Sequence, residues 1–360
     1  MTGTSVPVIP VSSPPDALTW QALHRATEAL RQLAPWQWLK ETHLFAVRHP
    51  ETATMGYISV TGALEESPGL MVYLGPEGWE AYWRVVEFLA TAATVPEELA
   101  WETRGLWLTW VEQEALTAVD RQVGEFLGVD PALPLWPVWR SLRPGYIPWY
   151  LTAAEARFLR LAVEQTLIVA ADLADNPDLL LERLAQGQLL VRVPRERDNT
   201  VVWESAWHPL PEEVGNLYHA RISQALLAQL SSLPLQPVTV EVDVFALPVA
   251  VREGTHTPPA VPHVLLVVEE KGEVLQAEML TPRGHLRHVY ESVPERVAQA
   301  LVAWKGRPSR VLVRRSLIHS LLQPLADAAR CPVVEQVTLP TLDAVRWQLV
   351  RHLQQAGADT

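Results

Sequence analysis

The most regular alternation of apolar and polar residues lies in the second half of the chain. Valine occupies every second position from Val238 to Val244, so this run predicts a β-strand with one apolar face. The elements after it predict a C-terminal α/β domain with a mixed sheet in the order β-β-β-α-β-α-β-α. The predicted strands are 238–245, 264–268, 273–280, 310–313 and 333–337, and the predicted helices are 292–304, 316–329 and 342–353.

The first half of the chain changes between helical and alternating patterns over shorter distances. Leucine and alanine recur at helical spacing before Pro35, and Thr152 with Glu155 forms a capping box ahead of a long apolar helix. Short apolar runs bounded by glycine and proline predict strands, and Pro131 to Trp149 predicts an extended stretch. Together they predict an α+β domain with a mostly antiparallel sheet. The predicted strands are 44–47, 57–60, 70–74, 105–111, 189–193 and 200–205, and the predicted helices are 23–33, 75–93, 117–127 and 152–173.

Tryptophan content and charge both change near residue 207. Thirteen of the 15 tryptophans precede residue 208, and residues 1–205 carry 15 basic and 26 acidic side chains against 14 and 15 in the remainder. We therefore expect a two-domain protein, since 360 residues exceed one ordinary core. The expected segments are a flexible leader at 1–17, an acidic Trp-rich α+β domain at 18–206, a connecting segment at 207–235, and an α/β domain at 236–357.

Composition excludes several classes of protein. Hydrophobic residues make up 48% of the chain, which excludes a disordered protein, and no apolar run is long enough to span a bilayer. A soluble cytoplasmic protein is therefore expected. The single cysteine, Cys331, excludes an intrachain disulfide and is expected to be buried and inert. The net charge of −12 disfavours nucleic acid as a partner, and the sequence predicts neither a cofactor nor a metal site.

Several short motifs are similar to those of one bacterial family. They are Ala34-Pro35-Trp36-Gln37-Trp38, Gly56-Tyr57-Ile58-Ser59-Val60-Thr61-Gly62, Gly69 to Gly78, Arg143-Pro144-Gly145-Tyr146-Ile147-Pro148-Trp149-Tyr150-Leu151-Thr152, Arg307 to Val313, and Leu339-Pro340-Thr341-Leu342-Asp343. Together they resemble an uncharacterised two-domain family made of adjoining domains of unknown function, over about residues 18–355. The resemblance implies a domain organisation and says nothing about chemistry.

Paired tryptophans suggest a ligand-binding surface. Two interpretations compete: an exposed aromatic platform for a sugar, base or peptide, and a large aromatic core, which we prefer because tryptophan is common in cores. If a platform exists, the proline-rich stretch is its best location, since proline limits pairing within a sheet. The candidate ligand-binding residues are Trp136, Trp139, Arg143, Tyr146, Trp149 and Tyr150.

Five basic residues lie close together in the otherwise nearly neutral second domain. We expect them to form a basic edge that contacts the acidic first domain or a protein partner, in preference to nucleic acid. These residues are Lys305, Arg307, Arg310, Arg314 and Arg315.

The predicted strand order of the second domain is similar to that of ribonuclease-H-like nucleases, which hold metal ions with carboxylates on central strands. The candidate carboxylates are Glu241, Asp243, Glu269 and Glu270. Arg314 and Arg315 end a neighbouring strand, where their charge opposes Mg²⁺, so such a domain is expected to be catalytically empty.

Three functional hypotheses remain. The preferred one is a non-enzymatic cytoplasmic binding or scaffolding protein. The alternatives are a metal-dependent hydrolase or nuclease that uses the carboxylates, and a carbohydrate- or peptide-binding module that uses exposed tryptophan. Clustered carboxylates would favour the enzyme, and several exposed tryptophans on one face would favour the module.

Overall fold

The computed structural model describes residues 6–62, 67–91, 97–198, 200–212, 218–252 and 254–358. The chain divides into two compact units. The first consists of residues 1–214 together with 252–259, and the second consists of residues 215–251 together with 260–360. A short segment between two strands of the second unit therefore belongs to the first.

The first unit contains a seven-stranded sheet in the order β5-β4-β3-β2-β1-β6-β7. Every neighbouring pair is antiparallel except β1 and β6, which run parallel. The strands are β1 (Phe45–Arg48), β2 (Met55–Thr61), β3 (Gly69–Leu74), β4 (Gly105–Glu112), β5 (Leu135–Leu142), β6 (Gln188–Arg197) and β7 (Thr200–Pro209). The helices are α1 (Ala17–Leu33), α2 (Gly75–Thr91), α3 (Glu97–Glu102), α4 (Ala118–Leu127), α5 (Ala153–Asp172) and α6 (Leu179–Ala185).

Helices cover both faces of this sheet because its strands carry apolar residues on both sides. Leu23 and Leu30 of α1 and Leu159 of α5 join one core cluster, whereas Trp79 and Tyr82 of α2 join a second. The fold is α+β with a mostly antiparallel sheet, as the sequence predicts.

The second unit contains a five-stranded sheet in the order β10-β9-β8-β11-β12. Strand β9 runs antiparallel to both of its neighbours, and β8, β11 and β12 run parallel. The strands are β8 (Leu235–Ala246), β9 (His263–Glu269), β10 (Val274–Leu280), β11 (Arg307–Val313) and β12 (Val333–Glu335), and the helices are α7 (Gln224–Ser232), α8 (Arg287–Trp304), α9 (Ser316–Ala329) and α10 (Pro340–Ala358). From β8 onward the order β-β-β-α-β-α-β-α is that of the prediction.

Two elements differ from the predictions in their type or their start. The stretch around Pro137 forms β5, whose eight residues all pair with β4. Proline is tolerated there because β5 is an edge strand. Helix α8 begins at Arg287, five residues before the predicted start at 292. Ser292 therefore lies inside the helix, where its hydroxyl donates to the Val289 carbonyl.

Two segments expected to lie outside a core are packed. Residues 207–235 include α7, and its Leu230 is fully buried in the core of the second unit. In the expected leader, Ile9 and Val11 are buried in the core of the first unit. Isolated apolar residues in proline-rich or short segments produce no periodic pattern, so these packed positions escaped the sequence prediction.

Candidate functional site

The candidate site is the chain corner between β5 and α5, which we call the Trp149 corner (residues 143–153). The Tyr146 amide donates to the Arg143 carbonyl at 3.0 Å and closes a turn. The chain then returns to β5, where Trp149 and Ser141 exchange two backbone hydrogen bonds of 2.9 and 2.7 Å. This pairing holds Trp149 against the edge strand, with Tyr150 beside it.

The polar groups of the corner bond to one another. The Glu155 carboxylate accepts hydrogen bonds from the Thr152 amide (2.8 Å) and the Ser141 hydroxyl (2.7 Å), and its Oε1 lies 3.5 Å from the Arg143 guanidinium. The capping box predicted at Thr152 and Glu155 is therefore confirmed. It both starts α5 and connects the helix to β5 and Arg143.

A second polar group supports Tyr150. The Tyr150 hydroxyl lies 2.9 Å from Thr117 Oγ1, and the Arg140 guanidinium stacks over the Tyr150 ring. Arg140 also donates two hydrogen bonds to Asp120, at 2.8 and 2.6 Å. Burial would raise the pKa of Asp120, but the Arg140 bonds outweigh it and hold the pKa below its ordinary value. Asp120 therefore stays ionised and fixes Arg140 beneath Tyr150.

The N-terminal segment of the chain lies on one side of this corner. The indole N–H of Trp149 donates to the Pro10 carbonyl at 3.0 Å, and the Ala153 amide donates to the Ser13 carbonyl at 2.8 Å. Donors of the corner thus bind carbonyl groups of a segment that contains four prolines and is bent at residues 10–13.

A second proline-containing segment, residues 252 and 254–259, lies on the same corner. The Ile147 amide donates to the Pro259 carbonyl at 3.1 Å, and the Arg252 guanidinium carbon lies 5.6 Å from the centre of the Trp149 ring. Pro258 and Pro259 are buried. Two donors of the corner, one indole N–H and one amide, therefore each bind the carbonyl of a proline.

Little space remains between these segments and the corner. The cavity measures about 20 Å³, enough for about one water molecule and far below the several hundred Å³ of a small-molecule site. Its lining includes Ser12, Arg143, Trp149, His256 and Pro258. The chain's own segments fill the surface that the sequence analysis assigned to a ligand.

The structure brings together only part of the predicted ligand-binding set. Arg143, Trp149 and Tyr150 line the corner, but Trp136, Trp139 and Tyr146 are buried. The Trp139 indole donates to the buried Thr27 hydroxyl, and Trp136 packs against Gly124 of α4. Trp136 and Trp139 point to opposite faces of β5, and helices cover both faces, so these rings form core and no platform.

The residues that complete the corner were missed by the sequence analysis. They lie at 10–13 and 252–259, more than 90 residues away on either side. The available signal was the prolines of these two segments, but proline alone does not identify the surface against which a segment packs.

The predicted basic edge bonds mostly within the second unit. Arg314 lies between Asp343 and Asp243, with nitrogen–oxygen distances of 2.5 and 3.5 Å, and Arg315 donates to the Tyr290 hydroxyl at 2.8 Å. The remaining members are Arg307, which donates to the Ala329 carbonyl, Arg310, which donates to Thr239 Oγ1, and Lys305, which is exposed and ends α8 in a left-handed conformation. Because β11 lies between β8 and β12, Arg307 and Arg310 are close to neighbouring elements of the second unit and form hydrogen bonds with them.

The four candidate carboxylates accept hydrogen bonds from backbone amides. Glu241 accepts from the Leu342 amide at 2.6 Å, in the first turn of α10, where a negative charge is favourable. Burial raises the pKa of Asp243, although Arg314 opposes the shift. The other two are Glu269, which accepts from the Lys271 amide, and Glu270, which accepts from the Thr239 amide. In the described part of the chain, no three His, Cys, Asp or Glu side chains are placed to hold a metal ion.

Cys331 lies at the end of α9 and is buried, as expected. Burial raises the pKa of its thiol to about 11, so the thiolate is scarce at neutral pH.

Two family models match adjoining parts of the chain. One, described as a domain of unknown function (DUF7309), covers residues 20–192, and the other, also described as a domain of unknown function (DUF6930), covers residues 226–350. No curated protein and no solved structure matches the chain. Within the described ranges, no helix is long and apolar enough to cross a membrane.

Proposed function

We propose that this chain, which consists of two adjacent domains of unknown function, is a non-enzymatic cytoplasmic binding or scaffolding protein of bacteria. Its binding surface is the Trp149 corner, and its ligand is a peptide segment that contains proline. The observation that carries the proposal is the pair of donors, Trp149 Nε1 and the Ile147 amide, that bind the carbonyls of Pro10 and Pro259.

The chemistry of proline explains why such a surface is selective. Proline restricts its own backbone, so a segment that contains proline loses little entropy on binding, and the proline carbonyl can accept a hydrogen bond from the surface. Surfaces that recognise such segments use aromatic side chains together with donors aimed at those carbonyls. Trp149 supplies an aromatic ring and a donor, its indole N–H, and the Ile147 amide supplies a second donor in the Trp149 corner.

The second segment adds a preference for a basic residue. Arg252 lies over the Trp149 ring six residues before Pro258. A guanidinium over an indole gains electrostatic attraction to the ring face, about 0.5–1 kcal/mol at an exposed site. An external ligand of the same chemistry carries an arginine or lysine before its prolines.

The test exchanges the chain's own segment for a free peptide. Residues 252–259 of the full chain are replaced by glycine and serine at the same length, which empties half of the corner. A fluorescent peptide with the sequence of residues 250–261 is then titrated, and binding is followed by fluorescence anisotropy. The wild-type chain should bind the peptide weakly, because its own segment competes at an effective concentration of about 1 mM.

Two controls make the result specific. Trp149→Leu in the emptied chain should abolish binding, whereas Trp83→Leu, which changes an exposed tryptophan of α2, should leave it unchanged. A peptide in which alanine replaces both prolines should bind at least tenfold more weakly. Equal binding of the two peptides, or no binding to the emptied chain, contradicts the proposal.

A further inference from the structure

Strand β7 is an edge of the first sheet and offers one side of its backbone for pairing. It spans ten residues and pairs along its whole length with β6, without a bulge. Among the described residues no strand lies on its other side. Its exposed residues include Val201, which is 55% accessible.

In the described part of the chain, the other three sheet edges carry features that discourage pairing with a further strand. Edge β5 contains Pro137 and is bridged by Trp149, β10 has a bulge between Val274 and Gln276, and β12 has only three residues. Proteins protect their edges in these ways because an open strand recruits other strands. Strand β7 is long and regular, and proline enters it only at its last residue, Pro209.

The register shows which backbone groups of β7 face outward. The Leu210 amide donates to the Gly187 carbonyl, so the even-numbered residues of β7 bond to β6. The odd-numbered residues therefore direct their backbone groups away from the sheet. They are Val201, Trp203, Ser205, Trp207 and Pro209.

We propose that β7 pairs with β7 of a second copy of this chain, in antiparallel orientation, with the two-fold axis at Ser205. An isologous contact of this kind closes on itself. Pro209 contributes only its carbonyl, because proline has no N–H. In this register Trp203 of each copy lies opposite Trp207 of the other, which creates two cross-strand aromatic pairs.

Charge selects this register over its neighbour. An axis at Ser205 places Glu204 opposite Ala206, whereas an axis at Glu204 would place the two Glu204 carboxylates directly opposite each other, which is destabilising. Arg197 and Arg195 lie 2.5 and 3.6 Å from the Glu204 carboxylate within one chain. Each carboxylate thus brings its own counter-charge to the interface.

Cysteine pairs test the register in the full chain. The axis at Ser205 places residue 201 opposite residue 209 of the second copy, at a Cα separation of about 5.5 Å, which a disulfide can bridge. The double variant Val201→Cys/Pro209→Cys should form a covalent dimer under mild oxidation. Within one chain the two positions are about 26 Å apart along the strand, so an intramolecular disulfide is impossible. The single variants Val201→Cys and Pro209→Cys are the matched controls and should not cross-link in this register.

Sedimentation equilibrium tests the association itself. The wild-type chain should be a dimer at micromolar concentration, and Trp203→Lys should raise the dissociation constant by about tenfold because both aromatic pairs are lost. Circular dichroism checks that the variant is folded. A monomeric wild-type chain, including one that binds an extended peptide at β7 instead, overturns the proposal. So does a dimer in which the double variant cross-links no better than the single variants.

Discussion

Arg314 is expected to contribute strongly to the stability of the second unit. Its guanidinium lies 3.5 Å from Asp243, whose side chain is 3% exposed, and 2.5 Å from Asp343, whose side chain is 43% exposed. The perturbation is Arg314→Met, which keeps much of the side-chain volume and removes the charge. It removes from a buried carboxylate the cation with the largest effect on it, while Arg315 and Arg346 remain with smaller effects. Loss of the partner of a buried charge is among the costlier changes in a protein interior.

The magnitude follows from the exposure of the two contacts. Breaking a fully buried pair costs about 3–5 kcal/mol, and an exposed pair contributes about 0.2–1 kcal/mol. The contact with Asp243 resembles a fully buried pair. However, its length of 3.5 Å and the remaining hydrogen bond from the Val244 amide reduce the stability that is lost when Arg314 is removed. We expect the free energy of unfolding of the second unit to fall by about 2–3 kcal/mol at neutral pH.

The loss should depend on pH in a defined direction. Burial already raises the pKa of Asp243, and removal of Arg314 raises it further. The folded variant then binds a proton more readily than the unfolded chain, so acid favours the folded state. The difference in unfolding free energy between wild type and Arg314→Met should be largest at neutral pH. It should shrink as the pH falls toward about 3.9, the pKa of an aspartate in the unfolded chain.

Hydrogen exchange at increasing urea concentration, read on peptides from β8 and β11, measures the second unit separately from the first. Arg283→Met, at an exposed arginine of the same unit, is the matched control. The double variant Asp243→Asn/Arg314→Met should regain most of the loss, because the buried charge is then absent. Equal stability of Arg314→Met and Arg283→Met would refute this reasoning.

Three further predictions concern single side chains. Burial lowers the pKa of His43, whose Nδ1 accepts a hydrogen bond from the Lys40 amide, so the stability that neutral His43 contributes should be complete above about pH 6.5 and decline below it. In urea titrations the wild-type chain should therefore lose stability relative to His43→Asn between pH 7 and pH 5. An equal change of unfolding free energy with pH in the two proteins would contradict this. The thiol of Cys331 has a pKa of about 11, so at pH 8 it should react with a disulfide reagent about a hundredfold more slowly in the folded chain than in the unfolded chain. Similar rates in the two states would contradict the burial of Cys331. Leu230→Ala should lower the free energy of unfolding of the second unit by about 2–5 kcal/mol, because Leu230 is fully buried. Leu235→Ala, at an exposed position, should change the same free energy by less than about 0.5 kcal/mol. Equal effects of the two substitutions would show that α7 does not belong to the core.

Local patterns predicted most of the regular elements. The alternating valines of β8 and the capping box at Thr152 act over a few residues, and their outcome depends little on distant parts of the chain. The predictions failed where packing outweighed a local rule. Pro137 is compatible with a strand because β5 lies at an edge, and Ser292 lies inside α8 because apolar residues from Val289 onward bury against the core.

The candidate site was predicted only in part, for a related reason. The sequence identified Arg143, Trp149 and Tyr150 as basic and aromatic residues of a proline-rich stretch. Trp136 and Trp139 are aromatic residues of the same stretch, but they lie in the core. Whether an aromatic ring is exposed depends on which helices cover its strand, and residue type does not contain that information.

The sequence by itself determined the two-part organisation, the α+β class and the order of elements in the second domain, because charge, composition and periodicity are properties of short stretches. Only the tertiary structure decided the surroundings of Trp149. The prolines at 10 and 259 bind donors on the same turn, although about 250 residues separate them. Contacts between remote segments depend on the paths of every element between them, so they follow from the packed fold and from no single stretch of sequence.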